Sequence, residues 1–250
     1  MLKTPEKRFL YKGHAVALAA TFTKPRAEYL ESQAPVALPV TGGVSSSVVE
    51  NFNFRDIISF RRAYSHASGT HNPETGAYNT LVTSVTEGFN IMGVLTADRI
   101  VARLASRHFI DPPPGKLVTP EPSILTLGSH IENLRIAGHP VHFKLDHEIL
   151  SGWGTHSKAW EGCHGREKSF AVSGSTITTS IFSDVGCELK PDGHRIDFPE
   201  FGSVFLGEIH INEAERTLTM IRFELGCSWE GNGGGPGVSG NGSPVPPLSS

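Results

Sequence analysis

The sequence predicts an all-β fold: a bulged antiparallel β-sandwich or barrel-like domain with long strands and at most one or two short helices. Three observations carry this expectation. Segments rich in Val, Ile, Thr and Phe recur along the chain, each bounded by Gly, Pro, Asn or Ser. Gly 27 and Pro 17, against an apolar fraction of only 38%, require frequent turns. A hexamer repeats as "VENFNF" at 49–54, "TEGFNI" at 86–91 and "IENLRI" at 131–136. A chain of 250 residues can hold one all-β domain of this kind.

Taken in order, "HAVALAATF" supplies a first strand rather than a secretory signal, because its apolar residues alternate and follow Lys12 and His14. "SSVVENFNFRDIISF", "YNTLVTSVTEGFNI", "PSILTLGSHIENLRIAGHPVHF", "SGSTITTSIF", "GSVFLGEIHI" and "RTLTMIRFEL" complete at least seven strands. "TADRIVARLASRHF" reads as a helix with Ala97, Ile100, Val101, Leu104 and His108 on one face. It also reads as a strand with Ile100, Ala102 and Leu104 on one side, and the β-rich surroundings favour the strand. "PDGHR" at 191–195 is a turn, and "NEAER" at 212–216 joins two strands as a hairpin. The Pro-rich stretch 111–122 connects two portions of one β-domain, 1–110 and 123–229. Residues 230–250, almost without side chains able to bury area, are expected to be a disordered Gly/Pro/Ser tail.

In the hexamers the apolar positions are spaced by three and then two, as at Ile131, Leu134 and Ile136, so one residue is extra. A β-bulge absorbs such a residue by letting two oppose one, and Asn51, Gly88 and Asn133 stand where positive φ is tolerated best. The repeat is therefore backbone engineering in preference to a binding motif. "GEIHI" at 207–211 is a looser relative.

The order of "LTADRIVARL", "SHIENLRIAGHPV" and "FPEFGSVFLGEIHI", within residues 94–225, resembles the choice-of-anchor P group of bacterial surface proteins. The resemblance implies a secreted, structural or adhesive β-module without assigned catalytic residues. Compartment stays open: the resemblance implies an extracellular place, while the lack of a convincing signal peptide favours the cytoplasm.

Charge excludes one class of partner. A net charge of -3 with no basic run beyond Arg61-Arg62 gives no footprint for nucleic acid, and no apolar run is long enough for a membrane helix. No nucleophile elbow, phosphate loop, H-E-x-x-H or C-x-x-C is present. Among Cys163, Cys187 and Cys227, the last two share a Gly-Cys context and either pair or stay as thiols.

Chemistry concentrates in the Gly-punctuated segment 151–167. Trp153, His156 and Trp160, with His142 upstream, form the candidate set for a carbohydrate or aromatic small ligand. His156, Cys163 and His164 form the candidate set for a transition metal such as Zn. His142 and Asp146 offer an oriented acid-base pair if the strand continues between them. The preferred function is a non-catalytic structural or ligand-binding module. The alternatives are a metal-dependent hydrolase or oxidase centred on segment 151–167, and a homo-oligomeric protein that assembles through strand edges.

Overall fold

A computed structural model describes residues 8–112, 115, 117–163, 170–213 and 215–245. The chain runs through β1 (Arg8–Val16), β2 (Leu18–Lys24), β3 (Glu28–Gln33), β4 (Val36–Ala37), β5 (Gly43–Phe54), β6 (Ile58–Asn72), β7 (Ala77–Ile91) and β8 (Leu95–Phe109). Short strands follow: β9 (Ser123–Leu125), β10 (His130–Glu132), β11 (Arg135–Ile136), β12 (His139–Pro140) and β13 (His142–Leu145). A π-helical turn (Glu148–Gly152) and helix α1 (His156–Cys163) lead to β14 (Phe170–Ser173), β15 (Thr176–Ser180), β16 (Phe182–Gly186) and β17 (Arg195–Phe198). The last three strands are β18 (Gly202–Ile211), β19 (Arg216–Gly226) and β20 (Glu230–Val245). The fold is all-β, and the ambiguous segment 96–108 is strand. No helix among the described residues is long and apolar enough to cross a membrane.

Every pairing is antiparallel. The front sheet has the order β12-β11-β8-β7-β6-β5, with β9 and β10 also along β8. The back sheet has the order β14-β15-β18-β19-β20-β1-β4, with β17 on β18 and β2 bridging β20 to β3. β13 and β16 form a separate two-stranded ribbon. The two large sheets pack face to face. Glycine permits close approach at Gly13 and Gly240, where an added Cβ would lie 2.8 Å from Val82 and 3.1 Å from Leu104 of the front sheet. Thr86 Oγ1 of the front sheet also donates to Ala17 O of the back sheet at 3.3 Å.

The expectation of a disordered tail from residue 230 is corrected: Glu230–Val245 is a strand near the middle of the back sheet. β19 pairs with one of its edges, and β1 and β2 share the other. Its glycines lie beneath side chains that other strands contribute. A Cβ at Gly242 would sit 2.1 Å from Phe9 Cζ, and one at Gly233 would sit 2.5 Å from Phe223 Cζ. Ladder hydrogen bonds on both edges and the neighbours' aromatic burial together offset the backbone entropy that composition alone made look prohibitive.

The hexamers occupy a single level of the front sheet. Asn51, Gly88 and Asn133 have φ of 53°, 66° and 51°. The expectation of two residues opposing one is corrected by the register. Glu50↔Arg62 and Phe52↔Phe60 flank Asn51 with one residue on each strand, and Glu87↔Arg99 and Phe89↔Ala97 flank Gly88 in the same way. Each strand carries its own extra residue at this level, so the ladder count is conserved across the sheet. In β6 the inward set Ile58, Phe60 becomes Ala63, Ser65, and in β8 Leu95, Ala97 becomes Ile100, Ala102.

Two successive residues per strand therefore face outward, and they build a charged belt. Its first row pairs Glu50 with Arg62, Arg62 with Glu87, Glu87 with Arg99, and Arg99 with Glu132. Arg62 lies 3.5 Å from Glu50, Arg99 3.9 Å from Glu132, and Arg61 3.0 Å from Glu87. In the adjoining row, Asn133 Nδ2 donates to Asp98 Oδ2 at 2.6 Å. Opposite charges directly across a strand pair contribute about 0.2–1 kcal/mol each. A one-residue slip of any strand would break the whole alternation, so the belt fixes register.

Candidate functional site

Helix α1 is short, and its N-terminus is held from several sides. Thr155 Oγ1 accepts from Lys158 N at 3.2 Å, while Glu121 Oε1 accepts from His156 N at 2.7 Å and Ser157 N at 3.1 Å. Burial works to raise the Glu121 pKa, but the Ser157 side chain together with these N–H donors outweighs it and leaves the carboxyl below its ordinary range. Before the helix, Asp146 Oδ1 accepts from Glu148 N at 3.0 Å and Ile149 N at 3.1 Å and so opens the π-helical turn. Trp153 ends that turn, buried, with Nε1 donating to Glu148 Oε1 at 3.3 Å. The helix can approach because residue 162 is glycine: an added Cβ there would lie 2.3 Å from Trp153 Nε1.

One turn of α1 brings His156 and Trp160 side by side, their ring centroids 5.9 Å apart and planes inclined by 31°. His156 Nε2 donates to Ser175 O at 2.8 Å, tying the helix to the β14–β15 hairpin turn. A groove of about 550 Å³ runs between helix and hairpin, lined by His156, Ser157, Trp160, Glu161, Gly174, Ser175 and Glu213. Of the four residues read from the sequence as a ligand set, His156 and Trp160 share this groove. Trp153 instead packs behind the helix, and His142 stands exposed on β13.

The His142–Asp146 pairing is corrected. It assumed an unbroken alternation, but register shifts between Lys144 and Leu145, leaving His142 exposed and Asp146 buried at the π-helical turn. Of the metal set, His164 lies outside the described residues. His156 and Cys163 stand at opposite ends of α1, about 10 Å apart by helical rise. Cys163 Sγ points to Trp160 O at 3.1 Å, burial raises its pKa, and His156 Nε2 is turned to the hairpin. As arranged, the two do not converge on one ion, and among the described residues no group of three or more His, Cys, Asp or Glu side chains is placed to hold a metal. Cys187 and Cys227 are thiols and not a disulfide; Cys227 Sγ donates to Trp229 O at 3.2 Å.

A second cleft, about 540 Å³, opens on the other side of the same hairpin and is lined in part by Thr178, Asp184, Asp192 and His194. Beneath it Glu208 is nearly buried, paired with Arg222 through Nε at 2.5 Å and Nη2 at 3.0 Å, with His194 Nε2 3.5 Å away. Burial pushes the Glu208 pKa up, but His194 and Arg222 dominate and hold it down at about 2. Arg222 in turn lies 3.5 Å over the Phe205 ring. In the sequence Glu208 stands out only as part of "GEIHI", the looser relative of the hexamers. Its partner Arg222 lies one strand away, and no spacing rule links them.

These features describe a β-sandwich that carries a surface groove between a short helix and a hairpin. The chain belongs to the family described as Domain of unknown function (DUF8256), whose model matches residues 9–177. That segment contains the whole charged belt, helix α1 and the hairpin turn. No curated protein and no solved structure matches the chain.

Proposed function

We propose that the protein is a non-catalytic binding module whose groove between α1 and the β14–β15 hairpin takes a neutral, polyhydroxylated ring such as a carbohydrate. The observation that carries this reading is the pairing of the His156 and Trp160 rings along one wall of that groove. An aromatic face stacks on the apolar face of a sugar ring, and nearby oxygens accept from its hydroxyls. Glu161 and Glu213 supply such oxygens, and their charge disfavours anionic ligands. A surface-associated role for the module is carried by the choice-of-anchor P resemblance and stands apart from the groove chemistry.

Tryptophan fluorescence titrated with a panel of neutral oligosaccharides tests the reading. At least one should give saturable quenching, and Trp160→Ala should weaken it about tenfold or more with the thermal midpoint held within a few degrees. Absence of saturable binding across the panel, or binding indifferent to Trp160→Ala, would overturn it.

A further inference from the structure

Arg216 opens β19 on the inward face that it shares with Leu218, and it is 1% exposed. Neither Nη1 nor Nη2 has a hydrogen-bond acceptor among the described residues. Burial lowers its pKa only to about 10, so the guanidinium is a cation at neutral pH. The carboxylate whose field reaches it, Glu121, is exposed and directs its oxygens to the N-terminus of α1. A buried cation without a paired anion is among the costliest arrangements a fold can hold.

The opposite wall answers in kind. Register across the front sheet aligns Ile124 with Ser106 and Thr80, then His108 with Tyr78, and Thr126 directly follows β9. Thr126, Ser106, Thr80 and His108 are all buried. The hydroxyl oxygens of the first three likewise have no hydrogen-bond partner among the described residues, whereas the His108 ring has the Asn241 amide of the back sheet beside it. Arg216 pairs across its own sheet with Gly240, and a Cβ on Gly240 would touch Leu104 and Val82. β19 packs on β8, and Gly240, the cross-strand partner of Arg216, faces Leu104, which precedes Ser106 by two residues on the same inward face of β8.

We propose that this end of the sandwich interior is an anion site, in which Arg216 neutralises a small oxyanion, a carboxylate or phosphate, and the front-sheet hydroxyls donate to its remaining oxygens. An oxyanion meets a bidentate cation and a row of hydroxyl donors together. The site is separate from the groove at α1, whose acidic lining suits a neutral ligand.

The test is refolding of the full chain from urea into buffers of increasing sodium acetate or sodium phosphate, beside Arg216→Met, which keeps volume and removes charge. Without oxyanion, Arg216→Met should be at least as stable as the parent. With either salt the parent should gain saturably, by about 5 °C at a hundredfold excess over Kd, while the variant stays flat, so that the order of stabilities reverses. The salt with the lower half-saturation identifies the preferred oxyanion. If Arg216→Met does not fold, Thr126→Val and Ser106→Ala keep the cation and should raise the half-saturating concentration several-fold. Equal salt responses in parent and Arg216→Met, or a parent with no saturable response, would overturn the proposal, as would donor variants with unchanged half-saturation.

Discussion

Two polar rows cross the same front sheet on opposite faces, and they are held by opposite means. Outside, Glu50, Arg62, Glu87, Arg99 and Glu132 alternate in sign from strand to strand, each beside water and beside its opposite. Inside, Thr80, Ser106 and His108 face a sandwich interior into which the back sheet sends Arg216. Outside, opposite charges meet beside water; inside, a single cation loses hydration without a paired anion among the described residues. The outer row thus sets register at small energetic stake, while the inner row concentrates a large one. Polar groups retained at such a cost mark where a protein does more than fold.

The largest difference between the rows should appear with pH. Burial lowers the His108 pKa to about 4 in spite of the neighbouring Asn241 amide, against an ordinary value of 6.5. Between pH 6.5 and 4 the unfolded chain takes up a proton that the folded chain refuses. The His108 contribution is therefore complete above pH 6.5 and is lost as pH falls, by about 3 kcal/mol in total. Urea unfolding at pH 7 and pH 4 measures it. His108→Gln should flatten the dependence in that window, and an unchanged slope would show that the ring is not buried neutral.

The outer row was half legible in the sequence. The hexamers announced β5, β7 and β10 through Asn or Gly beside Glu. Their complements, "FRRA" at 60–63 and "ADRI" at 97–100, lack Asn and Gly and place an Arg opposite each Glu. A search for Glu-containing repeats passes over them, whereas a search for Arg at the same phase break would have found both. The inner row was hidden for another reason. Arg216 looks like the last residue of a hairpin, and only the partner sheet makes its position interior. β20 was misread on the same ground, because composition counts a segment's own side chains and not the Phe9 and Phe223 rings that neighbours lay over it. In the groove, helical spacing places His156 and Trp160 together, whereas the hairpin that completes the site is remote in sequence.

The phase break itself can be perturbed without touching charge. Asn133→Val puts a β-branched residue at φ 51° and removes the hydrogen bond to Asp98, and should lower stability by about 1–2 kcal/mol. Asn133→Gly loses the same hydrogen bond but keeps the backbone, and should lower it by less than half as much. The ranking in urea unfolding separates the two contributions. Equal losses would assign the whole effect to Asp98 and leave the left-handed conformation without energetic weight.

The smallest effect expected is in the belt's electrostatics, where Arg62→Glu sets three carboxylates in line across β5, β6 and β7. Like charges directly opposite destabilise by up to about 1 kcal/mol at low ionic strength, and adding Glu50→Lys should recover about half by restoring one opposite pair. Both effects should shrink toward zero in 1 M NaCl, where screening acts over roughly 3 Å. Arg216 behaves otherwise: buried between the sheets, it is beyond the reach of simple screening, so salt should act on it only through an anion that enters. A belt variant whose loss persists at 1 M NaCl would mean that the outer row is held by packing, as through Arg62 over the Tyr64 ring, and not by alternating charge.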